Sequence, residues 1–254
     1  MSREAFAALR AELESRHRET VAAAFVPAVG TIVATGVEAL DRALAGGFPR
    51  GAIATIEGPP SSGRTTIAAR LLAQATQAGL GAVVGTEGIY PPALAAAGVD
   101  LQRLMIVPAH EPLGAARATD ILVRSAAFAV VVIPALPKMP GISAATWTRL
   151  AGLAHRANTA LVAVGVEASE ELRYFASLRV ETAIERVRWN GQSGICAELW
   201  GYDVRATVRK HKRAAPGGTT VFPCVGFEDR PTAVALRERT LVHQEQPVAR
   251  ATTA

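Results

Sequence analysis

Gly58-Pro59-Pro60-Ser61-Ser62-Gly63-Arg64-Thr65-Thr66 is the stretch whose reading decides the fold. Upstream, Ala52–Glu57 is a short, largely apolar run and predicts a buried strand; downstream, Thr66–Gln77 reads as a helix. A strand, a glycine-bounded loop and a helix together form the context of a phosphate-binding loop. The two glycines permit a turn whose N–H groups point inward, and the helix N-terminus adds its dipole. In the pattern G-x-x-x-x-G-K-[ST], the position of Thr65 sets a hydroxyl toward Mg²⁺. The lysine position holds Arg64. A guanidinium is longer, planar and forked, so the exchange is not conservative where a compact charge must reach between phosphates. A plain Gly/Pro/Ser turn before a helix is the competing description; the spacing and the flanking elements favour the phosphate loop.

Outward from the loop, strand-like and helix-like segments alternate. Ala82–Gly85, Leu104–Val107, Ala129–Ile133 and Ala160–Gly165 are near-continuous apolar runs, suited to strands buried on both faces. Between them, Leu113–Ala127 and Ser143–Ala157 read as helices. The alternation predicts an α/β fold with a mostly parallel sheet and helices on both faces. After Leu178 the pattern becomes strict alternation, in Arg179–Trp189 and Val204–Val208, which predicts antiparallel strands added toward the C-terminus. Residues 3–18 read as a helix with Phe6, Leu9 and Leu13 on one stripe, followed by a linker containing Pro27 and Gly30. The division expected is 1–30 for this arm, 31–226 for the core and 227–254 for a partly disordered tail.

Composition narrows the classes. Of 254 residues, 27 are basic and 22 acidic, for a net charge of +5; half are apolar. That excludes a disordered or low-complexity chain. Cys196 and Cys224 are too few for a disulfide scaffold and fit a reducing, cytoplasmic setting. No apolar run is long enough to span a membrane: the longest uncharged one, Ala126 to Pro137, is about half a span. The basic residues are nearly all arginine; Lys138, Lys210 and Lys212 are the only lysines.

A hydrolytic site needs a carboxylate at the end of a buried strand to hold Mg²⁺. Ala129–Ile133 ends instead in Pro134, and Ala160–Gly165 ends in Val166 where a polar phosphate sensor is expected, with Glu167 one residue late. Glu87, just after the strand ending at Gly85, is placed to activate a water; a glutamate in such a turn is otherwise simply solvated. Arg205, Arg209, Lys210, His211, Lys212 and Arg213 form a basic cluster, to be read as a solvated edge, a subunit or partner contact, or a DNA-backbone surface. Trp147, Trp189 and Trp200 are expected to pack in the core or at sheet edges. His110 and His155 have no companions at metal-ligand spacing.

These residues resemble the RecA recombinase family. Thr35–Gly51 is similar to the segment that leads into the first RecA core strand, and Gly58–Thr66 to the RecA phosphate loop. Gly98-Val-Asp100, Tyr174–Arg179 and Lys210–Pro216 resemble further RecA segments in the same order, so the likeness covers roughly 31–226. It implies a RecA-type P-loop core, with ATP and Mg²⁺ as cofactors, nucleotide contacts from Gly58, Pro59, Pro60, Ser61, Ser62, Gly63, Arg64, Thr65 and Thr66, and Thr65 on the metal. Glu87 falls at the water-activating glutamate, and Lys210 and Lys212 at the pair that crosses a subunit boundary to a neighbour's nucleotide. The likeness also implies self-association through the N-terminal helix.

The departures agree with one another. Arg64 replaces the lysine, Pro134 the metal-holding aspartate and Val166 the glutamine that couples nucleotide to DNA. Val166–Tyr174 is short and acidic where RecA has a long Gly-rich DNA loop, so DNA binding is expected to be weak or indirect. RecA's small C-terminal domain is expected to be missing. Such a pattern resembles the divergent ImuA-like paralogues. That likeness implies an accessory role in the DNA-damage (SOS) response, supporting translesion synthesis with error-prone or Y-family polymerase subunits and RecA, and a degenerate ATPase. The alternatives are an active DNA-dependent ATPase or recombinase, and a SulA-like cell-division inhibitor.

Overall fold

The computed structural model describes residues 31–85, 89–134, 142–190, 198–214 and 217–225. The N-terminal helix expected at 3–18, the tail at 227–254 and Glu87 lie outside them.

A short antiparallel pair, β1 (Ile32–Val33) and β2 (Phe48–Pro49), brackets the helix α1 (Glu38–Ala43). Asp41 fixes this entrance by accepting hydrogen bonds from the Thr35 N–H at 2.7 Å and the Thr35 hydroxyl at 2.8 Å. The chain then enters β3 (Ala52–Glu57) and the helix α2 (Arg64–Ala78). It continues through β4 (Leu80–Val84), α3 (Pro91–Ala96), β5 (Leu104–Val107), α4 (Pro112–Arg124), β6 (Phe128–Ile133), α5 (Ala144–Ala157) and β7 (Ala160–Gly165). A short helix, α6 (Glu170–Phe175), leads to the long strands β8 (Leu178–Asn190) and β9 (Glu198–His211), then to β10 (Thr219–Val225).

Eight of these strands form one sheet in the order β10-β9-β8-β3-β7-β6-β4-β5. From β8 through β5 neighbouring strands are parallel; β9 and β10 are added antiparallel. This is the architecture expected from the alternation. Its cause is visible in β6: Val130 and Val132 face one core while Val131 and Ile133 face the other. The first core contains Ile67, Leu71 and Leu72 of α2; the second contains Leu122 and Val123 of α4 and Trp147 and Leu150 of α5. A strand covered on both faces needs apolar residues at every position, at about 1.5–3 kcal/mol for each large side chain removed from water.

Two local expectations need correction. Val166–Tyr174 is not simply an acidic loop, because its second half is α6. Ser169 caps that helix, its Oγ accepting from the Leu172 N–H at 3.3 Å, and Leu172 is buried. Glu170 and Glu171 occupy the first turn, where the helix dipole favours negative charge. The tryptophans also divide: Trp147 is fully buried, but Trp189 and Trp200 are exposed. They lie where β8 and β9 run past the body of the sheet. No helix among the described residues is long and apolar enough to cross a membrane.

Candidate nucleotide site

The loop from Gly58 to Gly63 joins the end of β3 to the start of α2. Gly63 takes φ +88° as the N-cap, and a Cβ there would lie 2.5 Å from Cγ2 of Val204. A Cβ on Gly58 would meet the Thr182 carbonyl oxygen at 2.4 Å. The loop is thus pressed against β8 and β9, and only glycine allows that approach. Ser62 is fully buried beneath it, with Oγ 2.6 Å from the Thr182 hydroxyl. Thr182 itself donates to the Glu57 carbonyl at 3.1 Å, so Ser62 is the donor in that pair. The hydroxyl chain braces the loop from below, while Pro59, Pro60, Ser61 and Thr65 remain exposed above.

Arg64 turns back on its own loop. Its Nη1 donates to the Gly58 carbonyl at 2.8 Å, and burial lowers its pKa from the ordinary arginine value. The Gly58 N–H is also engaged, donating to the Gly165 and Val166 carbonyls at 3.2 and 3.1 Å. Beside Arg64 and Thr65 lies a cavity of about 280 Å³ whose other walls include Leu72, Val132, Pro134 and Val164. The two strand ends where a metal-holding carboxylate and a phosphate sensor are sought therefore present hydrocarbon. Apolar walls stabilise neither a divalent ion nor a polyphosphate.

The donor set divides the fit to ATP and Mg²⁺. The glycine turn and the N-terminus of α2 have the shape that receives a phosphate. For the metal, Thr65 is the hydroxyl at hand. Among the described residues no group of three or more acidic, histidine or cysteine side chains could hold a metal ion.

The predicted lysines behave differently from each other. Lys210 donates through Nζ to the Arg173 carbonyl at 2.8 Å and the Tyr174 carbonyl at 2.9 Å, closing the C-terminal turn of α6. Burial, then Lys212 and Arg179, lower its pKa. Lys212 is exposed, and its N–H binds the Ser177 carbonyl at 2.9 Å. Much of the basic cluster is paired within the chain. Arg205 meets Glu185 at 2.8 Å, Arg209 meets Glu181, and His211 Nε2 lies 3.3 Å from the Leu44 carbonyl. Lys212 and Arg213 are its exposed remainder.

A second charged centre was not singled out from the sequence. Glu57, the last residue before the loop, is buried. Its Oε1 accepts from Arg179 Nε at 3.0 Å and from the Thr55 hydroxyl at 2.7 Å; its Oε2 accepts from Arg179 Nη2 and the Ala168 N–H, both at 3.2 Å. Arg173 lies 3.6 Å from Oε2 and pairs with Glu167 at 2.7 Å. Burial alone raises the Glu57 pKa, but the hydrogen bonds from Arg179, Thr55 and Ala168 outweigh it and hold the carboxyl below its ordinary value. A glutamate at a strand end gives no signal that an arginine 122 residues away will meet it.

Fold and site together define an α/β protein built around a phosphate-type loop whose catalytic surroundings are apolar. The RecA N-terminal domain family matches residues 24–141. RecA of Caulobacter vibrioides is 31% identical over 220 residues, covering 72% of this chain and 60% of that protein. RecA of a Picosynechococcus species is 41% identical over 103 residues, covering 40% of this chain and 30% of that one. The crystal structure of the RadB recombinase superposes with a TM-score of 0.61 at 19% identity, covering 77% of this chain and 97% of RadB. The chain is thus similar to RecA proteins, and it spans about a third to three-fifths of the length of these RecA relatives.

Proposed function

We propose that this chain is an accessory RecA-family protein of the DNA-damage (SOS) response. It supports error-prone, translesion DNA synthesis by binding protein partners, namely error-prone or Y-family polymerase subunits and RecA, as ImuA-like paralogues do. The observation that carries this reading is the hydrocarbon at the two strand ends: Val132 and Pro134 on one and Val164 on the other line the same cavity as Arg64. A RecA-type ATPase needs a metal-holding carboxylate and a polar sensor there. With Arg64 bonded to Gly58, the site supports weak phosphate binding and negligible turnover.

The reading is tested in two measurements. Purified protein with ATP, Mg²⁺ and single-stranded DNA is expected to show no DNA-stimulated turnover above a Glu87→Gln variant. A strain lacking the gene is expected to lose damage-induced mutagenesis while keeping recombination. DNA-stimulated hydrolysis abolished by Glu87→Gln would establish an active ATPase instead.

A further inference from the structure

We propose that the outer edge of β8, from Ala183 to Asn190, is a docking site for an extended segment of a partner protein. The segment pairs as an added strand and carries alternating apolar and acidic side chains.

The first observation is an edge. β3 pairs with β8 only from Leu178 to Glu181, at the level where β3 gives way to the phosphate loop. β8 continues to Asn190, with β9 beside it on the other side throughout. Among the described residues no strand pairs with the outer edge of β8 beyond Glu181. Eight residues of strand are about 26 Å of backbone donors and acceptors. A long free edge is a template for another strand.

The second observation is the side-chain pattern. Val180, with Val204 opposite Ile184, belongs to the core on the α2 side. Glu185 is an extra residue in the ladder, between the pairs Ile184↔Val204 and Arg186↔Asp203. That bulge switches parity, so Val187 and Trp189 take over the face that Val180 and Ile184 occupy lower down. Ile184, Val187 and Trp189 are 41%, 42% and 61% exposed, and Leu199 opposite Trp189 is 57% exposed. Contiguous aromatic and aliphatic exposure of this kind marks an interaction surface.

The third observation is charge. On the opposite face Arg186 and Arg188 share one carboxylate, Asp203, at 2.9 and 2.7 Å. Two guanidinium charges on one buried aspartate leave a net positive charge, and the Arg186 side chain is 70% exposed. An added strand sends alternate side chains to the two faces. Its apolar positions meet Val187 and Trp189, and the intervening positions meet Arg186, which favours acid there.

This inference shares with the accessory reading the need for a protein partner, but its test does not depend on mutagenesis. The probes are two short fluorescein-labelled peptides, one alternating valine with glutamate and the other alternating valine with lysine. Anisotropy is measured with the full chain. The glutamate peptide is expected to bind at least ten-fold more tightly than the lysine peptide. Trp189→Asp should abolish binding, and Arg186→Glu should reverse the preference, since Arg188 still pairs with Asp203. Circular dichroism checks that each variant is folded. Equal binding of both peptides, no saturable binding, or an unaffected Trp189→Asp protein would overturn the proposal. So would a wild-type dimer in sedimentation that Trp189→Asp converts to monomer, because the edge would then belong to a second copy of the chain. Loss of mutagenesis with intact peptide binding would bear on the accessory role alone.

Discussion

Arg179 grips Glu57 side-on, Nε to Oε1 at 3.0 Å and Nη2 to Oε2 at 3.2 Å. Glu57 is the residue immediately before the phosphate loop, and Arg179 stands in β8, which presses on that loop through Thr182, three residues further along the strand. The pair therefore fixes the base of the loop to the strand that carries the proposed docking edge. Bidentate geometry is what distinguishes it from a surface ion pair, because arginine's fork matches a carboxylate in two bonds.

Removing the arginine should be costly. Breaking a buried pair leaves an uncompensated charge, at about 3–5 kcal/mol. Arg179 keeps 22% exposure and Arg173 stands 3.6 Å from Glu57, so Arg179→Ala is expected near the bottom of that range. Arg179→Lys should recover only part of the loss. Glu57→Gln combined with Arg179→Ala should cost less than Arg179→Ala alone, since no buried charge is then orphaned. Urea denaturation of the three variants is the measurement; a loss under about 1 kcal/mol for Arg179→Ala would sink the argument.

The same pair sets a pH dependence. The folded-state pKa of Glu57 is below its ordinary value of 4.5. Its contribution is therefore present in full above that ordinary value, and it is lost as pH falls through the depressed folded value. Asp120, held low by Arg149 and Arg124 against the effect of burial, acts in the same direction. Asp203, held low by Arg188 and Arg186, does too. The wild type should lose stability steeply below pH 4.5, and Glu57→Gln should show a shallower acid limb. Parallel acid limbs for the two proteins would show that Glu57 is not the group responsible.

Lys210 and Lys212 should separate by their structural roles. Lys210 accounts for two hydrogen bonds to the last carbonyls of α6. A helix of six residues depends on its caps, and Lys210→Ala is expected to lower stability by about 1 kcal/mol per bond lost. Lys212→Ala, at an exposed side chain, should stay within about 0.5 kcal/mol. Thermal melts of both variants decide this; equal and small effects would show that α6 is held by Leu172 alone.

Much of the sheet was legible because burial on both faces writes a continuous apolar run, as in Ala52–Glu57 and Ala160–Gly165, each of which coincides with its strand. Leu104–Val107 also coincides with its strand, but it is the sheet edge, with Met105 exposed, so its apolar run does not report burial on both faces. The short helices α1, α3 and α6 were not: six residues are too few to display a helical stripe, and the acidic first turn of α6 reads equally well as loop. The phosphate loop was legible because its residues are contiguous. The Glu57–Arg179 pair was not, because its members come together only when β3 and β8 pair. Trp189 and Trp200 read as packing residues because alternation in a strand does not reveal how far the strand extends beyond its neighbours.

Arg64→Lys tests what remains of the phosphate site. Arg64 now binds the Gly58 carbonyl, and the fork of a guanidinium fills space that a lysine stem leaves open. A lysine can turn its single ammonium toward a phosphate, while the glycine turn and the N-terminus of α2 stay in place. Binding of ATP, followed by calorimetry, is therefore expected to tighten at least ten-fold, which corresponds to about 1.4 kcal/mol. Turnover should not follow, because Val132, Pro134 and Val164 still line the position where charge must be stabilised. Adding Pro134→Asp supplies a carboxylate at the end of β6 and is expected to make the tightened binding magnesium-dependent. If Arg64→Lys alone produced steady ATP turnover, the apolar strand ends would not be the obstacle, and the site would have to be regarded as a catalyst held back by one residue.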